Sequence, residues 1–163
     1  MTNDRFLRAC RREPVDATPV WSPHGARIAF SSQRAGPYQM YTTPAAGDAG
    51  QGEAVLLKSE TASIATDWSP DSRYIVFTRT GTRTGLDVWV LPLTTDGKPF
   101  PFVETGAVED NGAFSPDGRW IAYQSNASGR DEVYVRPFPP ANGEHQVSRN
   151  GGTQPRWRGD GRE

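Results

Sequence analysis

Cysteine is almost missing from this sequence: Cys10 is the single thiol in 163 residues. That excludes an internal disulfide and any multi-thiolate metal site. Histidine is nearly as scarce, with only His24 and His145. Neither has an acidic or thiol partner at metal-ligand spacing, so no metal and no cofactor is expected. Lysine is confined to Lys58 and Lys98, although Lys and Arg together number 18. With 19 acidic residues and a net charge of −1, nothing draws the chain toward nucleic acid. No apolar run approaches the roughly 20 residues that cross a bilayer, and the first residues lack the apolar stretch of a signal peptide. Taken as written, the chain is expected to stay in the cytoplasm. There is no Gly-x-Ser-x-Gly elbow, no P-loop and no His-Glu-x-x-His, so no catalytic residue is expected.

Glycine and proline are abundant, at 17 and 14 residues. They favour many short elements joined by turns. The chain is also self-similar. Trp21-Ser-Pro-His-Gly-Ala-Arg-Ile-Ala-Phe30 returns as Trp68-Ser-Pro-Asp-Ser-Arg-Tyr-Ile-Val-Phe77 and as Phe114-Ser-Pro-Asp-Gly-Arg-Trp-Ile-Ala-Tyr123, and a further copy opens at Trp157-Arg-Gly-Asp-Gly-Arg162. The intervals are 47, 46 and 43 residues, the period of a four-stranded propeller blade.

Each copy has one physical grammar. An aromatic residue ends a first strand. Ser-Pro-Asp-Gly or a variant turns the chain: Pro presets φ, Asp bonds the backbone ahead and Gly accepts positive φ. That explains why Asp71, Asp117 and Asp160 recur, and gives His24 a turn role. A β-branched and aromatic second strand follows. Third strands read at Gln39-Met40-Tyr41, Asp87-Val88-Trp89-Val90 and Glu132-Val133-Tyr134-Val135. Weaker fourth strands read near Ala54–Leu57, Phe100–Val103 and Gln146–Ser148. A β-sandwich would have to match motif and period three times by chance. The expected fold is therefore all-β: a partial β-propeller of three four-stranded blades plus the start of a fourth, with a short N-terminal helix.

The Trp-Ser-Pro-Asp-Gly-x-x-Ile-Ala-Phe unit followed by a Val-Tyr-Val strand resembles the TolB-type propeller repeat, over residues 17–163. Glu132-Val-Tyr-Val-Arg-Pro-Phe-Pro139, Gln146-Val-Ser148 and Gly151-Gly-Thr-Gln-Pro-Arg-Trp157 look like the sensor region of bacterial receptor Ser/Thr kinases. The resemblance implies a non-catalytic module that binds a protein or peptide ligand, in a family whose members are usually extracytoplasmic or periplasmic. Related propellers also cap prolyl-oligopeptidase-like and tricorn-like peptidases, which leaves an accessory domain of a peptidase as the second reading. A six-bladed ring needs about 270 residues, so the expectation is a fragment of a longer propeller, or a chain that self-associates through an open blade face.

Residues 1–16 read as a leader foreign to the propeller. Asn3 or Asp4 caps a short helix carrying Phe6, Leu7 and Cys10 on one side, and Pro14 ends it. The stretch from Asn3 to Trp21 resembles the N-terminus of uroporphyrinogen decarboxylase, which suggests a chimeric join at about residues 18–21. The family's substrate-holding motif is lost after Trp21, so no decarboxylase residue carries over and that activity is the least supported reading.

In a propeller the innermost strand lines a central channel. The candidate binding residues at its mouth are Asp67, Glu109, Asp110, Asn111, Gln154 and Arg156, beside Ala65, Thr66 and Thr153. Asp67 with Glu109 and Asp110 is the candidate for a cation or a basic peptide terminus. The loops Ser31–Tyr38, Arg79–Leu86 and Asn126–Asp131 form the other candidate surface.

Overall fold

The computed structural model describes residues 15–46, 52–82 and 85–160. Among them are twelve strands and no helix. The expected leader helix lies outside the described residues. β1 (Asp16–Trp21), β2 (Arg27–Ser32), β3 (Gln39–Pro44) and β4 (Ala54–Leu57) form the first blade in consecutive antiparallel order. β5 (Ser63–Trp68), β6 (Tyr74–Thr80), β7 (Leu86–Pro92) and β8 (Phe100–Val103) form the second, and β9 (Glu109–Phe114), β10 (Trp120–Ser125), β11 (Glu132–Pro137) and β12 (His145–Gln146) the third.

Asp16–Trp21, which holds the suggested join at residues 18–21, is the innermost strand of blade 1, with Trp21 opposite Ile28. Any junction with the leader therefore runs through a paired strand. The last strand of blade 3 was expected at Gln146–Ser148 and is found at His145–Gln146. Beyond it the amides of Val147 and Ser148 both converge on the Val133 carbonyl, which ends the ladder.

The turns form as their chemistry requires. The Ser115 hydroxyl accepts the Trp120 N–H at 3.0 Å and donates to Asp117 at 2.6 Å, while Asp117 accepts the Arg119 N–H at 3.0 Å. Ser69, Asp71 and Tyr74 repeat the arrangement. The next residue takes φ of 67° at Gly25, 61° at Ser72 and 69° at Gly118, the region open to glycine and strained for serine. Three ordered donors hold the Asp117 carboxyl down at about 2: Ser115 foremost, then the Arg119 N–H and the Arg119 guanidinium. Burial opposes ionisation at Asp71, but Ser69 and Arg73 outweigh it and hold its pKa below the usual range.

Period-two alternation decides which face meets which neighbour. In β6, Ile75 and Phe77 pack toward blade 1 with Ala29, Met40, Ala65, Trp68 and Leu91. Val76, between them, points the other way and joins Val88, Val90, Phe102, Phe114, Ile121 and Tyr123 at the seam with blade 3. Hydrogen bonds stitch the seams at equivalent places. Ser31, Thr78 and Gln124 each follow the aromatic of the second strand. The Ser31 hydroxyl accepts the Ala65 N–H at 3.0 Å, the Thr78 hydroxyl donates to Asp110 at 2.5 Å, and the Gln124 side chain accepts the Gln154 N–H at 3.3 Å.

The last of these bonds belongs to a fourth blade that has begun. The Gly151 N–H donates to the buried Glu132 at 2.9 Å, the Gly152 N–H to the Asp131 carbonyl at 3.0 Å, and the Trp157 indole to the Ala113 carbonyl at 3.0 Å. Residues 151–157 thus lie along blade 3 where a first strand belongs.

Candidate functional site

β1, β5 and β9 follow one another around the inside. Between them and residues 156–157 opens a cavity of about 400 Å³, lined by Thr66, Asp67, Ala113, Phe114, Arg156 and Trp157, with Pro19, Val20, Trp21 and Pro116 at its rim. Asp67 sits just before the aromatic end of β5. Its carboxylate accepts the Trp68 N–H and the Phe114 N–H, both at 2.8 Å, and so ties blade 2 to blade 3. Burial pushes the Asp67 carboxyl above its ordinary pKa; the two N–H donors and the nearby Arg156 charge offset this only in part. Arg156 is exposed and spends one guanidinium N–H on the Pro155 carbonyl at 3.1 Å. Trp21 is 58% exposed, against 8% for Trp68 and 5% for Phe114, so it is the aromatic surface this cavity offers.

Five of the six candidate residues fall into two groups, and Glu109 stands apart from both. Asp67 and Arg156 meet in the cavity. Asp110, Asn111 and Gln154 gather lower on the strands: Asp110 accepts the Asn111 N–H at 2.6 Å, and the Asn111 amide reaches Gln124 at 3.4 Å, beside the Gln154 N–H. Asn111 and Gln154 hold positive φ, 57° and 50°, which bulges the strands here. Asp67 precedes its aromatic by one residue and Asp110 by four, a separation of about 10 Å along a strand. Glu109 does not face the channel. It is 1% exposed, held within its own blade by the Thr105 and Ser125 hydroxyls; its other oxygen has no hydrogen-bond partner among the described residues. The acidic trio of Asp67, Glu109 and Asp110 is therefore not one cluster. Among the described residues no three His, Cys, Asp or Glu side chains converge as a metal site.

The structure adds residues the sequence did not single out. Arg34, in the first polar loop, lies over the Tyr41 ring at 4.6 Å and the Phe30 ring at 5.3 Å, and pairs with Glu53 at 2.6 Å and Asp16 at 3.2 Å. Glu132, 1% exposed, holds the Ser148 hydroxyl at 2.5 Å, which lowers its pKa. The only signal was an arginine in a polar loop and an acid at the head of a third strand.

No family model matches the chain. Among solved structures, one described as TolB from Agrobacterium tumefaciens superposes with a TM-score of 0.77 at 22% identity, covering 86% of this chain and 50% of that one. The fold is that of the TolB-type β-propeller. TolB from Acinetobacter baumannii gives a TM-score of 0.71 at 17% identity over 90% of this chain and 36% of that one. A prolyl endopeptidase gives 0.61 at 16% identity over 80% and 21%. The TolB-like chain thus spans half or less of the length of these structures. Its curated relatives are of another kind: uroporphyrinogen decarboxylase of Roseiflexus sp. (strain RS-1) is 81% identical over only 21 residues, 13% of this chain and 6% of that enzyme. The enzyme of Chloroflexus aurantiacus (strain ATCC 29366 / DSM 635 / J-10-fl) is 50% identical over 46 residues, 25% and 13%. A short decarboxylase-like stretch and a TolB-like propeller share one chain, as a chimeric join implies.

Proposed function

We propose that this chain is a non-catalytic binding module, part of a TolB-like or receptor-kinase protein, and that its channel cavity receives a protein or peptide segment. The observation that carries the reading is the meeting of Asp67, Arg156 and the exposed Trp21 around one cavity. Asp67 is occupied by two backbone N–H groups, so Arg156 is the charge on offer. A guanidinium beside indole faces suits a peptide with a carboxylate next to an apolar side chain. Selection from a randomised peptide library on the immobilised chain is expected to enrich acidic or C-terminal carboxylate peptides. Arg156→Ala is expected to weaken them about tenfold or more. Enrichment of nothing, or of peptides indifferent to Arg156→Ala, refutes the channel site.

A second reading, a propeller accessory domain of a peptidase, is favoured by the superposition on the prolyl endopeptidase. Sequencing across the gene separates the two: a following hydrolase domain supports the peptidase, a preceding kinase domain and membrane helix the sensor.

A further inference from the structure

An asparagine side chain is open to attack by the backbone nitrogen that follows it, and most open when the next residue is glycine, which has no β-carbon in the way. The chain holds three such pairs: Asn111-Gly112, Asn142-Gly143 and Asn150-Gly151. Two of them are closed by the fold. The Gly151 N–H donates to the buried Glu132 at 2.9 Å, so the attacking nitrogen is engaged. At Asn111 the amide nitrogen that would leave donates to Asp110 at 3.1 Å and to Gln124 at 3.4 Å. Gly112 is buried, its carbonyl accepts the Thr66 hydroxyl at 2.8 Å, and Val76 and Val88 fill the space a β-carbon would take. That peptide cannot swing round without opening the strand. Two aspartate-glycine pairs, which react through the same ring, are closed as well: the Gly97 N–H bonds the Thr94 carbonyl at 3.0 Å and the Gly118 N–H the Ser115 carbonyl at 2.8 Å.

Asn142-Gly143 has none of these restraints. It lies in the segment that joins β11 to β12, and both residues are exposed. Among the described residues, neither the Asn142 side chain nor the Gly143 N–H has a hydrogen-bond partner. The space beside Gly143 is open: the nearest atoms to a β-carbon there are His145 Nε2 and Pro137 Cγ, each at 3.9 Å.

We infer that Asn142 is a site of spontaneous deamidation, where one neutral residue converts with time to a carboxylate. The Gly143 nitrogen gives up its proton to solvent base and bonds to Asn142 Cγ. The Cγ–Nδ2 bond breaks and ammonia leaves, which closes a five-membered succinimide. Water then opens the ring. Attack at Cγ restores the ordinary peptide link and gives aspartate; attack at the Asn142 backbone carbonyl carbon leaves the chain running through Cγ and gives isoaspartate. One water is consumed, one ammonia is released, and nothing is oxidised or reduced. The new charge falls two residues before Glu144, which accepts the Tyr123 hydroxyl and lies 3.9 Å from Arg136. The isoaspartyl link also adds a methylene to the segment that sets His145 opposite Val135. The inference does not draw on the channel site.

The test is to age the intact folded chain in mildly alkaline buffer beside a sample unfolded in urea. Trypsin then places the three asparagines on separate peptides for mass spectrometry. In the folded chain the Asn142 peptide is expected to convert, as paired aspartate and isoaspartate forms, about tenfold or more faster than the Asn111 and Asn150 peptides. In urea the three rates are expected to converge, because the restraints on Asn111 and Asn150 belong to the fold. Asn142→Gln, an exposed substitution, is expected to remove the acidic species from the anion-exchange profile of the aged folded chain and to leave its circular dichroism spectrum unchanged. An Asn142 peptide that converts no faster than the other two in the folded chain overturns the inference. An acidic species that survives Asn142→Gln overturns it equally.

Discussion

Gly112, in β9, packs directly against Val76 and Val88 of blade 2. A β-carbon there would stand 2.6 Å from Val76 Cγ2 and 3.1 Å from Val88 Cγ1. Both valines are fully buried, and a β-branched side chain has little rotamer freedom with which to retreat. Overpacking of this kind costs about 1–3 kcal/mol. Relief by moving the backbone would stretch the 2.8 Å bond from the Thr66 hydroxyl to the Gly112 carbonyl, at about 0.5–1.5 kcal/mol. Against this, alanine restricts the unfolded chain and returns about 0.4–1 kcal/mol. Gly112→Ala should therefore destabilise by about 1–3 kcal/mol, a fall in Tm of roughly 3–10 °C for a domain of this size. Gly106→Ala is the control: nothing lies within 4 Å of its added carbon, so it should be neutral or slightly stabilising. Urea unfolding of both variants and of the double variant Gly112→Ala/Val76→Ala tests the cause. If steric conflict is the cause, trimming Val76 recovers part of the loss and the two changes are non-additive. A stable Gly112→Ala, or strict additivity with Val76→Ala, would refute the reasoning.

The turn carboxylates should write themselves into the acid limb of stability. Asp117 titrates near 2 in the folded chain against an ordinary 3.8, so its contribution is complete above the unfolded value and vanishes as pH falls through the folded one. Asp117→Asn should therefore be less stable than the parent at neutral pH, with the difference closing toward about pH 2; urea midpoints measured down the pH scale check it. Asp67 has the opposite sign, because burial raises its pKa: its ionisation opposes folding, and that penalty fades as pH falls through the raised value. Ser115→Ala severs both the Trp120 N–H and the Asp117 contact and should cost about 1 kcal/mol. Ser22→Ala should cost less by the same unfolding assay, since His24 replaces the turn carboxylate and the Arg27 N–H, at 3.0 Å, is the partner Ser22 Oγ would lose.

The blades were legible because their information is local. The Ser-Pro-Asp-Gly turn, the aromatic before it and the Ile-Ala-Phe strand after it each act within a few residues, and they repeat. The seams were not legible, because their partners are a whole blade apart. Even within one blade Glu109 misreads as a channel acid, because Thr105, four residues earlier, and Ser125, its cross-strand partner on β10, close over it. Asp67 reads as a free acid until Phe114, 47 residues on, is brought within 2.8 Å of it. Gln39, Asp87 and Glu132 look like solvated strand ends and are buried, since each heads a third strand at the point where the next blade begins. Glu132 even shortens β12, by drawing Ser148 inward to meet it.

Because each blade bonds only to its neighbours, the molecule behaves as a short row and not as a single globule. Blade 2 is the only described blade with both faces covered by other blades, and its strands β6 and β7 carry Ile75, Val76, Phe77, Val88 and Val90 at 0% exposure. Opening should begin at the two ends and travel inward. The amide protons of β6 and β7 would then be the last to exchange with solvent, while those of β1, shielded on one side alone, would be among the first.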